Sequence, residues 1–217
     1  MKHVIIFARR PQLGCVKTRL ACDIGAVETL RFYRSTLAAV TRRLCADDCW
    51  RTWLALTPDK TIFDRRLYPP MAGRLPQGEG DLGERMSRCL ARFGHHPALI
   101  VGSDIPDIRR SHVAAAFDAL RRNDLVFGPS VDGGFWLVGA AQGARIGTLF
   151  DDVRWSTDSV LSDTLCNVRP GTKVAMLEEL ADIDDGAAYA AWHSRGWLES
   201  TFPLAAGSTP RSCKACA

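Results

Sequence analysis

Short apolar runs recur along this chain, and most are separated by stretches whose apolar residues fall at steps of three and four. Residues 3–8, Trp50–Leu56, Ala98–Gly102, 124–128 and Phe135–Gly139 read as strands, with a further strand near 173–177. Between them, Leu30, Tyr33, Leu37, Val40 and Leu44 mark one face of a helix over 28–45. Leu82, Met86, Leu90 and Phe93 mark another, with Gly94 as its stop. Val113, Phe117 and Leu120 mark a third over 109–122, and further helices are expected near 157–166 and 186–197. Strands alternating with helices predict an α/β fold. The sheet should be mostly parallel and covered by helices on both faces, a three-layer α/β/α, Rossmann-like arrangement. One domain is expected over residues 1–199, with 200–217, rich in Pro, Gly, Ser and Ala, as a loose tail.

The charge total says little about partners. Lys and Arg number 28 against 24 Asp and Glu, a net charge of +4, too small to argue for nucleic acid or an acidic membrane. No apolar run approaches the ~18 residues of a membrane span, and the opening strand is too short for a signal peptide. A cytoplasmic protein is expected. The eight cysteines are scattered rather than framed, so they read as reduced thiols, with Cys45 and Cys89 on apolar helix faces. Cys213 and Cys216 form the one CxxC; with Cys45 and Cys49 it could supply a zinc site, a less favoured reading.

Open α/β sheets bind ligands beyond the C-terminal ends of their strands, and several strand ends here are polar. After the first strand, Arg9-Arg10-Pro11 runs through Gly14 to Lys17-Thr18-Arg19-Leu20. Lys17 offers a point charge and Arg19 a planar fork for phosphate oxygens, and Gly14 gives the loop conformational freedom. The spacing matches neither a Walker A loop nor GxGxxG, and a solvated basic loop is the competing reading. At the end of another strand, Asp104 follows Ser103 and precedes Ile105-Pro106, where it can bind magnesium or cap a turn. Asp182 and Asp184 alternate along an extended segment and so share a face, which favours a cation between or beside them or plain exposure to water; Asp185 suits a helix N-terminus. Gly128–Gly134 reads as a hairpin turn in which Gly133 and Gly134 also allow close approach of a ligand and Asp132 can accept hydrogen bonds. Trp155-Ser156-Thr157-Asp158 reads as a helix start, with Ser156 as N-cap. No G-x-S-x-G elbow is present, which disfavours a serine hydrolase.

Taken in order, the segments 7–11, 17–20, 77–86, 102–106, 128–135, 155–158 and 182–184 resemble a bacterial family of GT-A-like nucleotide-diphospho-sugar transferases. That family is commonly labelled glycosyltransferase, of the arsenosugar-biosynthesis type. More distantly, the chain is similar to phospholactate and molybdenum-cofactor guanylyltransferases. Arg9 departs from the Lys more usual in the family, and the tail lies outside the pattern. The resemblance implies a GT-A-like fold and a nucleotide substrate, either an NTP or a nucleotide-sugar. It implies Mg2+ or Mn2+ held by Asp104, Asp182 and Asp184. Arg9, Gly14, Lys17, Arg19, Gln77, Gly80, Asp81, Arg85 and Ser103 would lie on the nucleotide. Asp132, Gly133, Gly134, Trp155, Ser156 and Thr157 would face a small-molecule acceptor. Lys17, Arg19, Asp104 and Asp132 would carry the catalysis.

Two reactions follow. In nucleotidyl transfer, an acceptor phosphate attacks the α-phosphorus of an NTP and pyrophosphate leaves, a reaction that cations and a metal promote without a strong base. In glycosyl transfer, the metal holds a diphosphate leaving group and Asp132 deprotonates an acceptor hydroxyl. The basic loop favours the first and the family label the second, and on the chemistry nucleotidyl transfer to a phosphorylated small molecule is expected. A non-catalytic nucleotide-binding protein is the third reading, disfavoured by the three retained aspartates.

Overall fold

The computed structural model describes residues 1–64 and 73–200, with side chains described through Ser194. Its core is a seven-stranded sheet in the order β3-β2-β1-β4-β6-β5-β7. The strands are β1 His3–Arg9, β2 Arg51–Thr57, β3 Gly73–Pro76, β4 Ala98–Gly102, β5 Leu125–Pro129, β6 Phe135–Ala140 and β7 Val174–Met176. All pairings are parallel except those of β6, which runs antiparallel to both β4 and β5. The mostly parallel α/β sheet expected from the sequence is therefore present, with the 128–134 turn closing the β5–β6 hairpin.

β1 shows why the sheet is buried on both faces. Val4, Ile6 and Ala8 enter one apolar layer and Ile5 the other, the alternation a strand imposes. The first layer is completed by α2, Ala26–Cys45, whose Tyr33, Leu37, Val40 and Leu44 face the sheet, and by Val113 and Phe117 of α4, Arg110–Ala119. The second is completed by Met86 and Leu90 of α3, Leu82–Ala91, with Phe93 and Phe150. Burial of side chains of this size contributes roughly 1.5–3 kcal/mol each. α3 starts as designed by its sequence: Asp81 accepts from Glu84 N, and the Glu84 carboxylate accepts from Asp81 N, both at 2.8 Å.

Three elements escape the sequence periodicity: α1 Thr18–Ile24, the 3-10 helix Asp59–Phe63 and β3. The first and last are short, and β3 is only partly apolar, so neither period has room to show. The helix expected from 157 begins later: α5 is Val160–Cys166 with Ser159 at its N-cap, and Ser156 is not a cap but a turn residue with φ of 65°. α6, Gly186–Ser200, starts where Asp185 accepts from Ala188 N at 2.8 Å, so Asp185 caps as expected.

Cys89 is buried, and burial pushes its thiol up to about 11, while the six cysteines among the described residues are all free. Ser200, first residue of the expected 200–217 tail, closes α6, and the rest of that tail, with Cys213 and Cys216, lies outside the described residues. Among the described residues no helix is long and apolar enough to cross a membrane.

Close packing of β5 on β6 supplies a direct test. A Cβ on Gly128 would stand 2.3 Å from Cε2 of Trp136, which is 1% exposed and donates its indole N–H to Glu178 O. Gly128→Ala should therefore destabilise the fold by about 1–3 kcal/mol, read as a lower urea midpoint at unchanged slope; an unchanged midpoint would contradict this packing.

Candidate active site at the carboxyl edge of the sheet

The chain lays β2 and β3 on one side of β1 and β4 on the other, so the loops leaving β1 and β4 diverge and open a crevice at their carboxyl ends. Two cavities occupy that edge. The larger, about 530 Å³, is lined from the ends of β1 and β4, from the 130–136 hairpin, from 155–158 and from Asp182 and Asp184. The smaller, about 290 Å³, lies toward the β1 loop and α3, with Arg9, Lys17, Thr57, Gln77 and Arg85 in its wall. Phe7, Leu82, Ser103 and Asp104 line both.

Lys17 stands at the junction. It precedes α1 with a left-handed backbone, φ 44° and ψ 58°, a conformation a non-glycine residue adopts at some cost. Its loop is anchored by buried Pro11 and Val16, with Gly14 turning at φ 72°. The lysine side chain is only 4% exposed. Its ammonium donates to Asp184 Oδ1 at 2.6 Å and to Ile183 O at 2.8 Å, and lies 3.4 Å from Asp104 Oδ2. Burial alone would lower its pKa, but the two carboxylates outweigh that and raise it, so the charge is kept.

The acidic segment is delivered by packing behind it. Ile183 is 3% exposed and joins Leu20, Phe32, Tyr189 and Trp192 in a separate apolar cluster that docks α1, α2 and α6 together. Asp23 accepts from Gly186 N at 2.7 Å, and Tyr189 donates to Glu28 at 3.2 Å. With Ile183 turned inward, Asp182 and Asp184 both face the larger cavity, as strand alternation predicts. Burial pushes the Asp182 carboxyl up to about 6, helped by the charges of Asp184 and Asp132 and opposed by Lys17.

At the end of β4, Ser103 donates to Asp104 Oδ1 at 3.0 Å. Behind Ser103, 3.4 Å from its hydroxyl, buried Tyr33 accepts from Arg9 N and donates to Arg9 O, both at 2.9 Å. Tyr33 thus ties the β1 and β4 loops together. Its helical spacing marked it only as an apolar face residue, since nothing in one sequence shows that its hydroxyl reaches across the sheet edge.

Gln77 is 3% exposed, and its amide donates to Ala55 O at 2.9 Å and Ala8 O at 3.3 Å, so it bridges strand ends while lining the smaller cavity. Arg85 donates to Gly80 O at 2.8 Å, shaping the turn in which Asp81 caps α3. Gly80 and Asp81 are not in either cavity wall, nor are Gly14 and Gly133. Gly133 instead makes a close approach: a Cβ there would meet Asp158 O at 2.1 Å. Asp132 accepts from Gly134 N at 3.0 Å and lines the larger cavity, as do Arg19, Gly134, Trp155, Ser156 and Thr157. Arg9 is exposed and donates to Cys15 O at 3.4 Å.

The donor set suits a hard cation. Asp104 and Asp184 already present one oxygen each to a single positive charge, and Mg2+ commonly takes one or two carboxylates with the remainder from phosphate and water. The three aspartates expected as ligands do not gather into one cluster: among the described residues no three His, Cys, Asp or Glu side chains could hold a metal together. Lys17 occupies the place where two of them, Asp104 and Asp184, converge.

The family model for DUF2064, described as an uncharacterized protein conserved in bacteria, matches residues 38–157. The chain belongs to that family. The matched span includes Asp104, Asp132 and Trp155, whereas Lys17 and the 182–184 segment lie outside it. No curated protein matches the chain. Among solved structures it is similar to a Desulfovibrio desulfuricans G20 protein provisionally assigned as a nucleotide-diphospho-sugar transferase. That pair is 24% identical over 92% of this chain and 97% of the other, with a TM-score of 0.78. A 4-diphosphocytidyl-2C-methyl-D-erythritol synthase from Anaerococcus prevotii DSM 20548 is 14% identical over 92% and 98%, with a TM-score of 0.57. The glucosyl-3-phosphoglycerate synthase of Mycobacterium tuberculosis, solved with Mn2+, UDP and glucosyl-3-phosphoglycerate, is 12% identical over 93% and 78%, with a TM-score of 0.52. The DUF2064 chain thus has the nucleotide-diphospho-sugar transferase fold.

Asp182 supplies a test of the site's electrostatics. Its folded pKa lies above the ordinary value of 3.8, so the fold is favoured while it is protonated and loses stability as pH rises from about 4 through 6. Asp182→Asn should therefore raise Tm at pH 7.5, by about 2 °C after solvent screening, with the advantage vanishing near pH 4. A variant that is less stable at pH 7.5 would contradict the assignment.

Proposed function

We propose that this protein is a divalent-metal-dependent transferase that binds a nucleotide in the smaller cavity and passes a group across Asp104 to a second substrate in the larger one. The observation that carries this reading is the pair of adjoining cavities of opposite character meeting at Ser103 and Asp104. Arg9, Lys17 and Arg85 line the smaller and suit phosphates, while carboxylates and aromatic rings line the larger. Relatives of the same fold bind CTP and UDP, consistent with such a substrate.

The reaction favoured is nucleotidyl transfer from an NTP. Arg9 and Arg85 would hold the phosphates, and Gln77 would close the base end of the cavity. Arg19, in the wall of the larger cavity, would face the oxygens of the transferred phosphoryl group. Gly14 would let the loop follow the phosphates, and Gly80 and Asp81 would set the turn beside base or ribose. Asp104 and Asp184 would hold the metal ion, with Asp182 nearby. Such an ion would neutralise phosphate charge and orient the transferring group. Lys17 competes with it for the same carboxylate oxygens, and once released from them its ammonium is available to phosphate. Gly133 and Gly134 would bring the hairpin close to the second substrate, beside Trp155, Ser156 and Thr157. Glycosyl transfer from a nucleotide-sugar is the second reading, favoured by the aromatic and carboxylate lining of the larger cavity, where Asp132 could deprotonate an acceptor hydroxyl.

Incubation with Mg2+ or Mn2+, each NTP in turn and a panel of acceptors should release pyrophosphate only when an acceptor is present. Asp104→Ala and Asp184→Ala should each lower that rate by about 100-fold or more, the scale on which loss of transition-state charge stabilisation is felt. Acceptor-dependent release of nucleoside diphosphate from nucleotide-sugars would select glycosyl transfer instead. Turnover unchanged in both variants would overturn the metal assignment.

A further inference from the structure

The larger cavity differs from the smaller one in a way that bears on its ligand. Five carboxylates line it, Asp104, Asp132, Asp158, Asp182 and Asp184, against a single guanidinium, Arg19. Lys17 contacts Asp104 and Asp184 from the side of the smaller cavity, and its charge also reaches Asp182. Even with Lys17 and one divalent ion counted, the carboxylates outnumber the positive charge. A phosphomonoester entering here would meet net repulsion and no bidentate partner except Arg19.

The rest of the wall is aromatic and hydroxylic. Phe7, Phe135 and Trp155 offer ring surface, and Ser156 and Thr157 stand exposed at the rim. Trp155 provides an independent pointer: it lines the cavity, and its indole N–H is buried with no hydrogen-bond partner among the described residues. A buried donor beside a cavity is satisfied by an oxygen that enters it, and Ser130 adds a hydroxyl to the same wall. Asp132 keeps Oδ2 free, since Gly134 N takes only Oδ1. Carboxylates that accept from neighbouring hydroxyls, combined with ring faces for C–H surface, suit a ligand that is rich in O–H donors and carries no negative charge.

We propose that the second substrate is an uncharged polyhydroxylated molecule, a sugar or polyol, which presents a hydroxyl rather than a phosphate to the transferred group. This rests on the two-cavity reading above. In nucleotidyl transfer the hydroxyl oxygen forms the new bond to the α-phosphorus as the bond to pyrophosphate breaks. Pyrophosphate leaves, and the hydroxyl proton passes to Asp132. The phosphorylated acceptor expected from the sequence finds no cation cluster here to receive it.

The test is a binding titration on the full chain with Mg2+, followed by tryptophan fluorescence and saturation-transfer NMR. It uses paired probes: glucose and glucose 6-phosphate, ribose and ribose 5-phosphate, glycerol and glycerol 3-phosphate. At least one neutral probe should bind, and each that does should bind at least tenfold tighter than its own phosphate. Ser130→Ala should weaken the neutral probe at least threefold with an unchanged circular dichroism spectrum. Asp132→Asn with Asp158→Asn should narrow the gap between the pair. Tighter binding of the phosphates, or no binding by any neutral probe, would overturn the proposal. Displacement of the probe by UDP-glucose but not by UDP would place a donor's sugar in the cavity and overturn the acceptor assignment. A parallel NTP titration reads the smaller cavity; its failure alone would sink the nucleotide reading while leaving this one standing.

Discussion

One ammonium group joins the two halves of the site. Lys17 reaches from the loop after β1 to Asp184, 167 positions along the chain, and to Asp104 at the end of β4. A buried lysine is tolerated only with carboxylate partners, so the left-handed turn that aims it and the apolar cluster that holds Ile183 are conditions of the same contact. Removing both carboxylates would leave the charge stranded on a side chain that is 4% exposed. The boundary between the two cavities therefore depends on this one pairing.

Much of the architecture was legible in the residues. β1, β4 and the helix face of Tyr33, Leu37, Val40 and Leu44 follow from periodicity, because each is long or apolar enough to show it. The polar residues at strand ends converge because parallel strands send their carboxyl ends to one edge. What stayed hidden depends on contacts distant in sequence. Lys17 read as a phosphate ligand on an open loop, and the structure turns it inward onto carboxylates. Ser156 read as a helix cap, but the positive φ it adopts belongs to a turn clamped against Gly133. Tyr33 and Ser130 carried no signal of their own, since a hydroxyl on an apolar face or in a hairpin is ordinary until its surroundings are known.

The near-zero net charge of the chain conceals a strongly divided edge. Cations from the β1 loop and α3 face one cavity, and aspartates from four separate segments face the other. In the proposed reading this division separates a polyanionic ligand from one rich in hydroxyls, with transfer at the boundary both cavities share. Burial raises the Asp182 carboxyl at this edge, and the charges of Asp184 and Asp132 add to the shift.

Asp104 and Asp184 converge on the ammonium of Lys17, and a metal ion held by the two carboxylates would take that same position. Mn2+ affinity, measured by electron paramagnetic resonance of the free ion without nucleotide, tests it in Lys17→Met against the parent protein. Removing the competing ammonium should tighten Mn2+ binding by about tenfold, equivalent to about 1.4 kcal/mol. Equal or weaker binding in Lys17→Met would show that lysine and metal do not share the position, and the account of the site would fail.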